Sequence, residues 1–290
     1  MFDFRYHALS LVAVFMALVI GILLGIAIGD KGLISSARTD IEKSLRSDLR
    51  NASSKADALS AQVAEHTRLE RDLYPLVVQG RLTGQRIGLV ALGKLSDRQI
   101  ALVRDALKDT GGRLVLEAVV PQPPDLNAVA ARDSGVRGRP LSTDGRAVTR
   151  FARRFGAALM SGGPLLKRTR RIVFSTSSGS YNGLDSAIVV RSDPPTLPGP
   201  QATLNRTFEN GLMQGLNQGS APLVGTETTS TSPSEVAWYR SHGLSSVDNL
   251  NQLSGKVSLV FALGGASGAY GIKPTAQALL PKAASGSGAG

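Results

Sequence analysis

Residues 86–120, RIGLVALGKLSDRQIALVRDALKDTGGRLVLEAVV, decide the fold. Arg86–Leu92 is a short apolar run bounded by Gly84 and Gly93, the signature of a strand buried on both faces. Ser96-Asp97-Arg98-Gln99 then has the spacing of a capping box, in which a serine hydroxyl and a glutamine side chain satisfy each other's free backbone N–H groups. The helix this starts is expected to close at Gly111-Gly112, and Arg113–Val120 reads as a second strand. Strand, helix and strand in this length make one βαβ unit, so the sheet is expected to be parallel.

Further along the chain the alternation continues. Asp144–Ser161, Asn205–Asn217 and Pro233–His242 read as helices. Arg171–Phe174, Ala187–Val190, Pro222–Thr226 and Val257–Leu263 read as strands. An α/β domain over 84–280 with a mostly parallel sheet is the expectation, followed by a flexible Gly/Ser tail over 281–290.

Toward the N-terminus, a short tail over 1–7 precedes Ala8–Ile28, which holds no charged residue. A helix of that length crosses roughly 30 Å of hydrocarbon. An uncleaved membrane anchor is expected, because the run exceeds the apolar core of a signal peptide; Ala27-Ile28-Gly29 is the cleavage site of that alternative. Ala13, Ala17, Gly21, Gly25 and Gly29 recur every four residues and line one face, where a second backbone could approach closely. Glycine and alanine are also common in membrane spans for no special reason. Lys31, Arg38 and Lys43 outnumber Arg5, which by charge alone favours a cytoplasmic C-terminus.

Residues 35–74 contain no proline or glycine and read as one helix stopped by Pro75. Leu45, Ala52, Leu59, His66 and Leu73 share one heptad position; Leu49, Ala56, Val63 and Glu70 share the other. The four–three spacing is that of a left-handed coiled coil, and a parallel homodimer is expected. An amphipathic helix folded back on the domain is the alternative.

The formal charge is +11, and it is unevenly spread. From Arg132 to Arg171 eleven Lys or Arg face two acids, Asp133 and Asp144. Arg146, Arg150, Arg153, Arg154, Arg168, Arg170 and Arg171 form the patch, and residues 136–140 read as a loop within it. Such a patch attracts polyanions, whether lipid headgroups, acidic wall polymers or nucleic acid, or an acidic protein partner. No aromatic platform accompanies it, so nucleic acid is not expected. A solvated helix face is the plainer reading.

Chemistry is thin. With no cysteine there is neither thiol nucleophile nor thiolate metal site. His7, His66 and His242 and Met1, Met16, Met160 and Met213 form no paired motif, which leaves only a tertiary site joining His242 to a distant methionine. Asp185, Asp193 and Asp248 are scattered. Gly264, Gly265, Gly268 and Gly271 punctuate a loop expected to follow the last strand, read as a turn or an anion cradle without the lysine of a P-loop. No catalytic constellation is assembled, and an enzyme is not expected.

The N-terminal FDFRYHALSLVAVF (2–15), with Gly21 and Gly25, resembles the mycobacterial copper transport protein B family of actinobacteria. So do Ser246-Val247-Asp248-Asn249, Gly255-Lys256-Val257-Ser258-Leu259-Val260, Gly271 and Ala278-Leu279-Leu280-Pro281. The resemblance implies a single-pass envelope protein with its α/β domain outside the cytoplasmic membrane, and a part in copper export or homeostasis. The resemblance also implies a link to cell separation, through control of wall hydrolases with a neighbouring protein. The residues themselves offer the alternative of a dimeric coiled-coil scaffold, paired through the small-residue face and the heptads, that recruits envelope partners in cell-wall and cell-separation control through its basic α/β domain. Copper enters only through this resemblance, and no ligand set maps onto the matching residues. An α/β ligand sensor or enzyme built on Gly264–Gly271 is the third reading.

Overall fold

The computed structural model describes residues 4–29, 33–132, 144–192 and 196–282. The expected loop over 136–140 and most of the expected tail lie outside these. The chain divides into two compact units, Met1–Leu69 and Glu70–Gly290.

The first unit holds α1 (Phe4–Gly29) and most of α2 (Leu33–Val78). Apolar side chains cover every face of α1, and Arg5–Ala27 is long and apolar enough to cross a bilayer, alone in this among the described residues. In α2 the structure corrects one expectation: Pro75 does not stop the helix, which runs on to Val78. A proline inside a helix forfeits a hydrogen bond and costs ~3 kcal/mol. Burial of Tyr74 and Val78 offsets this, with the Tyr74 hydroxyl donating to the Ala106 carbonyl at 2.7 Å.

The second unit is built on a seven-stranded sheet. β1 (Arg86–Leu92) lies between β2 (Arg113–Val120) and β4 (Ser186–Arg191), parallel to both. β5 (Leu223–Thr226), β6 (Ser245–Val247) and β7 (Ala269–Tyr270) extend the parallel run. β3 (Thr176–Gly179) closes the far edge antiparallel to β2.

Both faces are buried, as the apolar runs require. Val90 and Leu92 of β1 enter one core, and Ile87, Leu89 and Ala91 enter the other. The first core is covered by α5 (Gly145–Ser161), α6 (Pro164–Val173) and α7 (Gly199–Leu216), with α4 (Leu126–Arg132) and α8 (Val236–Ser241) beside them. The second is covered by α3 (Asp97–Leu107), α9 (Leu253–Leu263) and the last turn of α2. Gly156 on α5 and Gly211 and Gly215 on α7 leave the two backbones almost touching: a Cβ on Gly211 would lie 2.9 Å from the Thr149 carbonyl.

Three expected elements are corrected. Arg171–Phe174 is not a strand but the end of α6, because Pro164 starts a helix whose buried residues Leu165, Leu166, Thr169 and Val173 follow a 3.6-residue period. The edge strand is the polar Thr176-Ser177-Ser178-Gly179, exposed throughout and therefore without an apolar signature. Val257–Leu263 is helix α9: it packs on β5, β6 and α3, so its sides read alike and the run mimics a buried strand. The capping box at Ser96 forms as expected, but α3 ends at Leu107 rather than at the glycine pair. Asp109, at φ 64°, takes the left-handed turn instead.

Candidate functional site

In open parallel sheets, ligand crevices form at the carboxyl ends of the strands where the strand order reverses. Here that point lies between β1 and β4. Arg191, the last residue of β4, turns inward there. Its Nη1 lies 2.6 Å from Glu235 Oε2 and its Nε 3.3 Å from Glu209 Oε2 of α7. All three side chains are at least nine-tenths buried. The second Glu209 oxygen accepts from Gln122 Nε2 at 2.7 Å and Asn205 Nδ2 at 2.9 Å. The Arg191 backbone N–H donates to the Tyr239 hydroxyl at 3.0 Å, and that hydroxyl donates to the Thr226 carbonyl at 3.1 Å. Burial pushes the Tyr239 phenol well above the ordinary tyrosine range, and Glu227 and Glu235 add to the effect.

A second cluster lies after β5 and β6. Glu227 accepts from Lys273 Nζ at 2.5 Å, from the Ser234 hydroxyl at 2.7 Å and from the Glu235 backbone N–H at 2.6 Å. Asp248, fully buried, accepts from the backbone N–H groups of Ile272 and Lys273 at 2.9 and 3.1 Å. The carboxylates along this edge are thus engaged by donors that fix loops. The Ser192 hydroxyl accepts from the Lys94 N–H at 2.7 Å and donates to the Leu92 carbonyl at 2.9 Å, ties that brace the crevice rather than activate a nucleophile.

The sequence reading did not find Arg191, Glu209, Glu227, Glu235 and Lys273. They sit on separate elements with no fixed spacing. The available signal was a charge inside an apolar context, as in Ser186–Arg191 (SAIVVR) and around Glu209 in α7.

Several expected site residues are now placed. Gly264–Gly271 follows helix α9 and leads into β7, which corrects the expectation of a loop after a strand. Its groups are used locally: the Gly268 N–H donates to the Ser245 hydroxyl at 3.3 Å, which donates to the Ala266 carbonyl at 3.2 Å. Asp185 accepts from the Arg86 backbone N–H at 2.7 Å, and Asp193 lies outside the described residues. Ala13, Ala17, Gly21, Gly25 and Gly29 all fall within α1, and a Cβ at Gly21 or Gly25 would meet nothing within 4 Å. Leu45, Leu49, Ala52, Ala56, Leu59, Val63 and Leu73 are exposed along α2. Arg146, Arg150, Arg153 and Arg154 occupy the outer face of α5, and Arg168 and Arg171 that of α6. Arg170 lies over the Tyr181 ring, 4.3 Å from its centroid.

Among soft donors, Met213 and His242 line one groove of about 590 Å³ between α7 and α8, with Arg206, Asn210 and Trp238. Met213 is buried. The His242 ring lies tilted by 34° against the Trp238 ring with centroids 4.1 Å apart, and its two nitrogens lie 2.8 Å from the Trp238 carbonyl and 2.8 Å from Asn210 Oδ1. Among the described residues no group of three or more His, Cys, Asp and Glu is placed to hold a metal ion.

Comparison with known proteins gives the context for this geometry. "Copper transporter MctB" of Mycobacterium tuberculosis and that of Mycobacterium bovis are each 23% identical to the chain over 306 residues. Each alignment covers 93% of this chain and 96% of the relative. The family described as "Copper transport outer membrane protein, MctB" matches residues 1–281. With that match running through the apolar helix, the sheet and its carboxyl edge, the chain belongs to the MctB copper transport family.

Proposed function

We propose that the chain serves copper export or copper homeostasis as a single-pass envelope protein, anchored by α1 with its α/β unit outside the cytoplasmic membrane. The observation that carries this reading is the family match over 1–281, which includes the apolar Arg5–Ala27 segment. Copper is the cargo of the process here. Met213 and His242 share a groove, but Met213 is buried and both His242 ring nitrogens already face oxygen partners. The contribution of the α/β unit is therefore contact with a partner, through surfaces held in shape by the Arg191 and Glu227 clusters. The test is growth over a copper gradient in a strain lacking this chain. The full chain is expected to restore tolerance and a chain without residues 1–29 is not. Tolerance that does not depend on the chain would end this reading.

A dimeric scaffold is the second reading, and one observation favours it. Leu45, Leu49, Leu59 and Val63 are each 58–65% exposed on α2 at heptad spacing, apolar surface that a second copy of α2 would cover. The small-residue face of α1 would support the same pairing. Disulfide trapping of a Leu49→Cys variant in membranes tests it, since the chain has no other cysteine. Cross-linked dimer is expected; monomer alone would exclude a parallel seam.

A further inference from the structure

The outer faces of α5 and α6 carry a run of cations, Arg154 among them already engaged. From Gly145 to Leu184 the sequence holds eight Lys or Arg and no acid. Arg146, Arg150 and Arg153 stand in one row on α5, opposite the buried Val148, Phe151, Phe155 and Leu159. On α6, Lys167, Arg168 and Arg171 stand opposite the buried Leu166, Thr169 and Val173. None of these six cations has an ion-pair partner among the described residues. The nearby Asp144 is engaged in capping α5, accepting from the Arg146 and Ala147 backbone N–H groups at 3.0 Å each. Where α5 meets α6, Arg153 also lines a shallow depression of about 420 Å³.

Uncompensated guanidinium groups held on rigid helices repel one another and lower stability unless an anion joins them. Their spacing along α5 follows the helical rise, about 4.5–6 Å from one arginine to the next. That is a linear pattern of positive charge, suited to a linear anion. Five of the six cations are arginines, whose planar fork takes two phosphate oxygens at once. The face lacks what other partners require. Among the described residues it has no exposed large apolar side chain to insert between lipid tails, and the Tyr181 ring beside it is covered by Arg170.

We infer that the α5–α6 face binds a linear phosphodiester polymer of the cell envelope, held by Arg146, Arg150, Arg153, Lys167, Arg168 and Arg171. This rests on the envelope location proposed above. The two fail separately: a chain that restores copper tolerance without binding polymer refutes only the present inference.

The experiment uses the full chain in nanodiscs of zwitterionic lipid and follows the fluorescence anisotropy of a labelled short-chain poly(glycerol phosphate), a phosphodiester polymer. Binding is expected to weaken about a hundred-fold between 50 and 200 mM salt, as release of roughly five counterions dictates. Neutralising Arg150, Arg153 and Arg168 to Gln should weaken it about thirty-fold at the lower salt, about 2 kcal/mol in all at 1.4 kcal/mol per tenfold. The same change at Arg50, Arg68 and Arg71 on α2, equal in charge, should leave it within about twofold. Matched melting curves establish that each variant is folded. Four results would overturn the inference: no binding; equal loss in both variants; tighter binding to anionic vesicles or single-stranded DNA than to poly(glycerol phosphate); or preference for a polycarboxylate of equal length.

Discussion

Asp248 and Gly271 meet at the carboxyl ends of β6 and β7 so closely that a Cβ at residue 271 would overlap the Asp248 carboxylate. The carboxylate holds the next two backbone N–H groups, of Ile272 and Lys273, and Lys273 then reaches Glu227. Asp248 and Gly271 lie in the C-terminal blocks that carry the family resemblance, and the contacts fasten the last loop across the sheet edge. Gly271→Ala, at φ 140° and with no space for the methyl, is expected to cost about 1–3 kcal/mol, read as a lowered melting temperature. An unchanged melting temperature would mean that the loop relaxes freely.

Arg191 compensates two buried carboxylates, Glu209 and Glu235. Arg191→Met leaves both without it and is expected to lose about 3–5 kcal/mol in urea unfolding. Adding Glu209→Gln and Glu235→Gln should recover part of the loss, because the unpaired charges disappear. If the triple variant is less stable than the single one, the hydrogen bonds of these carboxylates outweigh their charge.

Tyr239 gives the fold a pH limit. Its phenol holds its proton more tightly in the folded state than in the unfolded chain, so folding stability is complete below about pH 10. Above that it falls, by about 1.4 kcal/mol per pH unit for this group. Tyr239→Phe is expected to cost about 1–3 kcal/mol at neutral pH, where the Arg191 N–H and the Thr226 carbonyl lose their partner. It should also flatten part of the alkaline slope in unfolding measured from pH 8 to pH 11. An alkaline slope unchanged by the variant would assign it to other groups, of which Tyr74 is the next candidate.

In α1 the space beside Gly21 and Gly25 is open, so larger residues fit the single helix without strain. Replacing both with Leu should weaken self-association in a membrane two-hybrid assay by removing close backbone approach. Association of equal strength would locate any pairing elsewhere.

The βαβ unit was legible because its strands are long, apolar and bounded by glycine, and because Ser96 and Gln99 cap one another. β6 and β7 were not, since strands of three and two residues carry no periodicity. Helix α9 was misread as a strand because packing on the sheet and on α3 removed its polar face. The arginine rows could be read from sequence as composition, but their geometry required α6 to be a helix. The Arg191 cluster was out of reach: Arg191, Glu209 and Glu235 meet only once β4, α7 and the start of α8 are placed around the first core.

The central claim is that this chain moves a cell's copper balance from the envelope, and copper efflux measures it most directly. Cells lacking the chain are loaded with radioactive copper, washed, and followed for retained label, with and without the full chain. Faster loss of label with the full chain, and not with a chain lacking residues 1–29, is the predicted result. Equal efflux in all three strains would contradict the account.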